Sequence, residues 1–436
     1  MSKDLICLWT NCPFVGINRF LLTALMNRSG MNYRMNKQVL YLVQSIPGDN
    51  APTKHAFAIS DLLVKCGFNV HFVLAGIIEP SSNAISSNYD YPFDFPYEVK
   101  FGHHQIAKKY YERISSSFSF KAFTRCFDQI QPDLVIYYGI QHKLAKRVLD
   151  HCHDFNVPVI VDETDWFTPK FTGDLAAWLV EKSRSKRVAE VDRLLDGVIA
   201  ISPFFKKHFD SLYSSQGYPK VFYLPPLNRA GDSLSDPCFL EGLKRRTITK
   251  FVYAGSPAGG KDSLTEFISL ISNDAIPAIT QPVLDVIGID LNQAVSLMGN
   301  IARSNKVHFH GRVSHDSVIK MLQESDFGIL FRTPDLYSRA GFSTKFAECM
   351  SNGVPMLCNA VGGADLILEN MIDGIVIPDL SNRALLDGIT SACNLTDHEL
   401  ICMKRAALEK ALKLFESDNY IDSFSSFLNS VLSIRD

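Results

Sequence analysis

The stretch that decides the fold of this chain covers residues 332–355 and reads RTPDLYSRAGFSTKFAECMSNGVP. The apolar run before it, residues 327–331, is short enough to be a buried strand, and turn residues close it. Gly341 lets the following loop turn closely, and Ser343 or Thr344 can cap a helix whose apolar residues recur at helical spacing. An Asn-Gly pair ends this helix before another apolar strand. The order strand, loop, helix, strand predicts an α/β fold.

Lys345 and Glu348 stand three residues apart at the start of this predicted helix, so they are neighbours on one of its faces. The first N–H groups of a helix have no partner inside the helix and attract anions. The pattern therefore predicts an anion-binding site flanked by a cation and a carboxylate. The alternative is a solvated ion pair on the helix surface, worth roughly a few tenths of a kcal/mol.

Residues 343–359, STKFAECMSNGVPMLCN, form a pattern that is similar to one in a known family. It resembles the donor-site segment of retaining glycosyltransferases of the GT-B fold, those of glycosyltransferase family four and its relatives. A small residue, Lys, an aromatic residue, Glu and a later Gly-x-Pro recur there. The resemblance implies that Glu348 holds the ribose of the donor nucleotide. Many members carry a second Glu eight residues earlier, where this chain has Ala340; a subgroup that makes bacterial surface polysaccharide also lacks it.

The resemblance implies two Rossmann-like domains that face each other across a cleft, the GT-B form of an α/β fold. The second domain would hold a nucleotide sugar, and the first would hold a saccharide or lipid-linked saccharide acceptor. The implied reaction is transfer of the sugar with retention of anomeric configuration. The enzyme would be a hexosyl- or related glycosyltransferase of polysaccharide or glycan biosynthesis.

A glycine-rich turn, SPAGGKDSL, follows the apolar run 251–255 and suits phosphate binding, because glycines let backbone N–H groups approach an anion. In the family this turn carries an Arg, replaced here by Ser256, and a Lys, matched by Lys261. Arg332 is the candidate to supply the missing diphosphate contact; the alternative for it is a surface charge. The residues predicted to act in catalysis are Lys261, Arg332 and Glu348, and those predicted to bind the donor are Gly255, Ser256, Gly260, Arg312, Gly341, Ser343, Thr344 and Lys345.

The first half of the chain repeats the strand and helix alternation. Residues 45–55 are predicted to be a loop at the carboxyl end of a strand, so Thr53, Lys54 and His55 are expected to face the cleft. Glu163 lies in an acidic stretch at another strand end and is, with Thr53 and His55, predicted to contact the acceptor. The alternative is that the aspartates beside Glu163 cap the next helix. On that helix, predicted over residues 174–195, Arg184, Lys186 and Arg187 are interpreted as a solvated face rather than a membrane contact.

Composition bounds the remaining possibilities. The chain has 436 residues, 46% of them hydrophobic and 21% charged, with a net charge of −2, which predicts an ordinary globular protein and argues against nucleic-acid binding by bulk charge. The ten cysteines form no CxxC pair, so we expect neither a zinc site nor a disulfide framework. The resemblance implies a nucleotide-sugar co-substrate with no cofactor and no metal. We expect a cytoplasmic protein without a transmembrane segment, and association with the inner face of the membrane is a further interpretation.

Breaks in the pattern predict the domain limits. Residues 1–35 are interpreted as a peripheral segment, 36–226 as the acceptor domain, 227–250 as a linker and 251–415 as the donor domain. A final helix, 416–436, is expected to return to the first domain. Two other functions stay open at this point. A sugar-nucleotide epimerase shares the fold, and a non-catalytic scaffold would explain Ala340 and Ser256.

Overall fold

The computed structural model describes residues 36–43, 51–74, 93–94, 116–166, 175–213, 220–228, 247–255, 262–272 and 276–435. Gln38–Asp436 form one compact unit. Three predictions lie outside the described residues: the peripheral segment 1–35, most of the linker, and the glycine-rich turn with Ser256, Gly260 and Lys261.

The first sheet has seven strands in the order β3-β2-β1-β4-β5-β6-β7. Strands β1, β4, β5, β6 and β7 pair in parallel, and so do β2 and β3. The strands are β1 (Lys37–Val43), β2 (Phe68–Leu74), β3 (Phe93–Asp94), β4 (Leu134–Tyr138), β5 (Val159–Glu163), β6 (Gly197–Ala200) and β7 (Lys220–Tyr223). The helices between them are α1 (Ala51–Lys65), α2 (Ser116–Ile130), α3 (His142–Asp154), α4 (Leu175–Glu190) and α5 (Pro203–Tyr213).

The second sheet has six parallel strands in the order β10-β9-β8-β11-β12-β13. They are β8 (Ile248–Ala254), β9 (Gln281–Ile287), β10 (Val307–Gly311), β11 (Phe327–Leu330), β12 (Met356–Asn359) and β13 (Gly374–Ile377). The helices are α6 (Thr265–Ser272), α7 (Leu291–Met298), α8 (His315–Gln323), α9 (Leu336–Ala340), α10 (Thr344–Ser351), α11 (Ala364–Ile367), α12 (Asn382–Asn394), α13 (Asp397–Leu414) and α14 (Ile421–Leu432).

Both sheets are buried on both faces, which explains why their central strands are continuous apolar runs rather than alternating ones. Every residue of β11 and β12 is buried, and so is every residue of β5. Helix α14 closes the far side of the first sheet, where Phe424 and Phe427 pack on Phe222 of β7. In a doubly wound sheet of this kind, ligands bind beyond the carboxyl ends of the strands. Those ends therefore position the candidate site.

Three local predictions were wrong. The predicted loop 45–55 ends earlier, because α1 begins at Ala51; Pro52 is tolerated in a first turn, where no N–H bond is lost. The predicted loop after β11 contains the short helix α9, whose N-cap Asp335 accepts a hydrogen bond from the Ser338 N–H. Helix α4 ends at Glu190 rather than at residue 195, and a 3-10 turn, Asp192–Leu194, follows it.

Candidate active site

Two cations meet on one carboxylate at the carboxyl edge of the second sheet. Asp262, just before α6, accepts a hydrogen bond from Arg332 Nε at 2.9 Å and from Lys345 Nζ at 2.6 Å. The Tyr253 hydroxyl donates to the same carboxylate at 2.7 Å. The side chain of Asp262 is 3% exposed, that of Arg332 9% and that of Lys345 21%. The cluster therefore shows its cations, and not its carboxylate, to the cleft.

Lys345 reaches Asp262 because the backbone beneath it carries no side chains. A Cβ built on Gly255 lies 2.1 Å from Lys345 Cε, and a Cβ on Gly288 lies 2.4 Å from the Gly255 carbonyl oxygen. The Lys345 ammonium also lies 5.0 Å from the centre of the Tyr253 ring, within cation–π range. Gly255 was predicted for its approach to phosphate; the structure adds that the stem of Lys345 occupies the space above it.

The charges of this cluster fix its protonation. Burial alone raises the pKa of Asp262, but the positive charges of Lys345 and Arg332 outweigh it and lower that pKa to about 2. Burial and the Asp262 carboxylate both raise the pKa of Tyr253, so its hydroxyl stays a hydrogen-bond donor. At neutral pH the cluster holds two cations and one anion, which leaves one net positive charge.

Backbone contacts anchor Arg332. The Asn359 side chain, at the end of β12, accepts from the Arg332 N–H at 2.9 Å and donates to its carbonyl at 2.8 Å. An isolated antiparallel bridge also joins Arg332 to Asp262. The alternative of an ordinary surface charge is therefore wrong for Arg332, whose residue is 7% exposed.

The first turn of α10 offers unpaired polar groups beside Lys345. Ser343 is the N-cap residue, with extended backbone, but its side chain makes no capping bond. Its hydroxyl oxygen is buried and has no hydrogen-bond partner among the described residues. The prediction that Ser343 precedes the helix is confirmed, whereas the predicted capping bond is absent from this described segment. Thr344 is the first helical residue and is half-buried.

Glu348 lies one turn after Lys345 and faces the first domain. Its carboxylate is 20% exposed and lies 3.9 Å from Lys54 Nζ of helix α1 and 3.8 Å from His315 Nδ1 of helix α8. Lys54 Nζ and His315 Nδ1 are themselves 3.2 Å apart. A carboxylate predicted to bind ribose is thus placed where the two domains approach each other.

The two domains also contact each other at Ala340 and Gly341. The Ser202 hydroxyl, beyond β6, donates to the Ala340 carbonyl, and the Ala340 side chain is completely buried. A Cβ built on Gly341 lies 3.4 Å from the Thr164 carbonyl oxygen, beyond β5. The first domain therefore packs against the backbone at Ala340 and Gly341.

The carboxyl edge of the first sheet holds two buried acid networks. Asp162 accepts from Tyr41 OH at 2.6 Å and lies 3.0 Å from His55 Nε2. Glu163 is ion-paired with Arg187, which also contacts Asp192 at 3.2 Å through Nε. Asp162, Glu163 and Arg187 are each at most 2% exposed. The interpretation of Arg187 as part of a solvated face is wrong, because Arg187 is buried against Glu163 and Asp192. The interpretation of Asp162 as a helix cap is also wrong, because its carboxylate is buried against Tyr41 and His55.

Burial raises the pKa of Glu163 to about 8, and three aspartates nearby add to the rise while Arg187 opposes it.

Thr53 and His55, predicted to face the cleft, are buried near the start of α1. Arg312 is exposed just beyond β10, at the carboxyl edge of the second sheet. Sequence reasoning missed the roles of Asp262 and Tyr253, since only a contact across the sheet links them to Lys345.

Comparison with known proteins bears on this geometry. Residues 260–409 match the family described as Glycosyl transferases group 1, and this segment contains Asp262, Arg332, Lys345 and Glu348. None of the curated protein sequences matches the chain. The family match supports glycosyl transfer as the class of activity.

Solved structures support the fold. Sucrose-phosphate synthase from Thermosynechococcus elongatus superposes with a TM-score of 0.65 at 14% identity, over 91% of this chain and 100% of that one. Anabaena HepE in complex with UDP and glucose gives 0.62 at 15% identity, over 90% and 100%. TarM gives 0.65 at 10% identity, over 92% and 100%. The predicted GT-B fold, with two Rossmann-like domains facing across a cleft, is confirmed. Within the part of the chain that the structure describes, no helix is long and apolar enough to cross a membrane.

Proposed function

We propose that this chain transfers a sugar from a nucleotide-sugar donor to a saccharide or lipid-linked saccharide acceptor, with retention of anomeric configuration. The observation that carries the proposal is the pair of cations, Lys345 and Arg332, held on Asp262 at the carboxyl edge of the second sheet. A diphosphate is the anion that such a pair suits, because two fixed cations can each bind a different phosphate. The family match over the same residues points to the same reaction class.

The donor would lie along α10. Its diphosphate would bind Lys345, Arg332 and the first N–H groups of the helix, with the unsatisfied Ser343 hydroxyl as a further donor. Lys261 would add a charge from the glycine-rich turn. The ribose would lie at Glu348, whose carboxylate can accept from two neighbouring hydroxyls. HepE was solved with UDP, which makes UDP the first probe to test.

The chemical demand is stabilisation of the charge that develops on the leaving diphosphate. Fixed cations and helix N–H groups supply it without reorganising during the reaction. We therefore propose that no metal is required. For a retaining transfer, the leaving phosphate would assist the acceptor hydroxyl on the same face of the sugar, so the chain need not supply a general base.

The acceptor would bind at the first sheet, near Thr53, His55 and Glu163. Because the Glu163 carboxylate is engaged by Arg187, it would shape this region rather than donate charge to a ligand. We propose a role in polysaccharide or glycan biosynthesis in the cytoplasm, at the inner face of the membrane where a lipid-linked acceptor is used.

A panel of nucleotide sugars, each incubated with and without saccharide acceptors, tests the proposal. We expect one donor to release its nucleoside diphosphate together with a sugar-containing product that keeps the anomeric configuration, read by NMR. An isomerised nucleotide sugar without transfer would favour an epimerase. No binding and no turnover with any donor would favour a scaffold.

The ribose assignment has its own test. Glu348→Gln is expected to lessen the preference for UDP over 2′-deoxy-UDP, because the amide loses the charge that accepts two hydroxyl protons. Calorimetric titration of both nucleotides into both proteins measures this preference. An unchanged preference would remove Glu348 from the ribose site.

The domain limits predicted from the sequence stay a prediction. We expect limited proteolysis to cut first within residues 227–250, where charged residues, Pro and Gly accumulate, or within residues 79–101, which are rich in Ser, Asn, Pro and Tyr. Mass spectrometry of the fragments identifies the sites. First cuts inside residues 157–226 or 251–378 would contradict these limits.

A further inference from the structure

Asp262 is the common partner of both cations in the candidate site, and nothing in the sequence pattern assigns it a role. Its two carboxylate oxygens have different hydrogen-bond donors. Oδ1 accepts from Arg332 Nε, and Oδ2 accepts from Lys345 Nζ and from the Tyr253 hydroxyl. Its side chain lies beneath the cations and is 3% exposed, so an incoming ligand would meet the cations first.

This arrangement orients the cations as well as neutralising one of them. Arg332 uses Nε for Asp262, so this bond does not use the end of the planar guanidinium where the two terminal NH₂ groups lie side by side. Lys345 is held at its head by Asp262, along its stem by the open space over Gly255, and from below by the Tyr253 ring. A flexible lysine is thereby confined to one place before any ligand arrives, which lowers the entropy cost of binding.

We infer that Asp262 is a positioning residue for the donor diphosphate: it holds Lys345 and Arg332 at the spacing that two phosphates require. This inference rests on the proposed function and deepens it. The alternative roles are a purely structural counter-ion, or a carboxylate that competes with the diphosphate for the cations. The first predicts an effect on stability alone, and the second predicts tighter diphosphate binding when Asp262 is neutralised.

A double-mutant cycle separates these roles. UDP binding is measured by calorimetry in the full chain and in the variants Asp262→Asn, Lys345→Met and their combination. We expect each single variant to bind UDP at least tenfold more weakly, and the double variant to lose clearly less than the product of the two single losses, because Asp262 then has only Arg332 left to position. Losses that multiply in the double variant, or UDP binding by Asp262→Asn that equals or exceeds wild type, would overturn the inference.

A matched control removes another buried carboxylate from the fold. Asp196 is 2% exposed and bridges two basic side chains, Arg435 at 2.9 Å and His153 at 3.0 Å, on the first sheet. Asp196→Asn is expected to lower the melting temperature while binding UDP like wild type. A tenfold loss of UDP binding in this control as well would show that the Asp262 effect is only general destabilisation, and would overturn the inference.

Three further outcomes are distinguishable. If Asp262→Asn does not fold, Gly255→Ala displaces the Lys345 stem while keeping the carboxylate, and it must weaken UDP binding as much as Lys345→Met does; wild-type binding by Gly255→Ala overturns the inference. If the wild-type chain binds none of UDP, GDP and ADP, the proposed function fails together with the inference. If it binds one of them but Asp262→Asn binds it equally well, only the inference fails.

Discussion

The carboxyl edges of the two sheets border the same cleft but have opposite ratios of acidic to basic side chains. At the first edge, Glu163 and Asp192 share the buried Arg187, so acids outnumber the cation and every member is sealed from water. At the second edge, Asp262 is shared by Arg332 and Lys345, so cations outnumber the acid and Lys345 stays partly exposed. Each edge uses an ion triad, but only the second leaves one of its charged side chains, Lys345, partly exposed.

The pKa values of Glu163 and Asp262 reflect this difference. The pKa of Glu163 is raised to about 8, chiefly by burial, whereas the pKa of Asp262 is lowered to about 2, because two cations outweigh its burial. Burial raises the pKa of both carboxylates, but only Asp262 has two cations beside it that outweigh the effect of burial.

The largest expected effect comes from breaking the first triad. Arg187→Met leaves Glu163 and Asp192 buried without their cation and is expected to lower the free energy of unfolding by about 3–5 kcal/mol. Urea unfolding followed by circular dichroism measures it. Arg193→Met, at an exposed position six residues later, is the control and should change little. A loss below about 1 kcal/mol in Arg187→Met would mean that the first edge does not depend on its cation.

Breaking the second triad should affect function more than stability. Lys345→Met is expected to reduce sugar transfer by about a hundredfold, as the loss of a charge-assisted phosphate contact of ~3 kcal/mol implies. Release of nucleoside diphosphate from the best donor measures the rate, and the melting temperature serves as the fold check. Lys146→Met removes an exposed lysine that pairs with Asp150 on α3, and it should leave the rate unchanged. A normal rate in Lys345→Met would move the donor away from this edge.

The pKa of Asp262 predicts an acid dependence of stability. Its pKa falls from 3.8 to about 2 on folding, so the folded state favours the ionised form. The resulting stabilisation, roughly 2 kcal/mol at ~1.4 kcal/mol per pKa unit, is complete above about pH 4 and is lost as the pH falls towards 2. Asp262→Asn should therefore show a flatter stability curve than wild type between these values. Parallel curves from urea unfolding at each pH would contradict the low pKa.

The smallest expected effect tests whether Lys54 of the first domain changes UDP binding at the second domain. Lys54 of the first domain lies near Glu348, so in the proposed donor site its ammonium would compete with the ribose hydroxyls for that carboxylate. Because the contact is partly exposed and worth at most ~1 kcal/mol, Lys54→Met should tighten UDP binding by no more than about fivefold, and high salt should abolish the difference. Lys65→Met is the matched control, on the same helix, equally exposed and paired with Asp418. Weaker binding in Lys54→Met would instead make Lys54 a ligand of the donor.

Local signals in the sequence carried much of the fold. The apolar runs that became β11 and β12, and the helical spacing between them in α10, predicted the strand, helix, strand order, because period and turn chemistry depend only on neighbours in the chain. The same signals misplaced the start of α1 and missed α9, since a proline in a first turn and a five-residue helix leave little periodic pattern. Glu348 and Lys345 were identified from the residue pattern of one segment, and their assigned roles in the donor site stay predictions.

The sequence by itself determined the alternating α/β architecture and the segment on which a donor site would be built. Only the tertiary structure decided which charges work as partners. Asp262 and Lys345 are 83 residues apart, and they meet because Gly255 has no side chain where the stem of Lys345 lies. Arg187 looked solvated in its own helix and is buried because Glu163 and Asp192 approach it from other elements. Whether a charge is neutralised or left for a ligand depends on its neighbours in space, and a linear pattern does not contain that information.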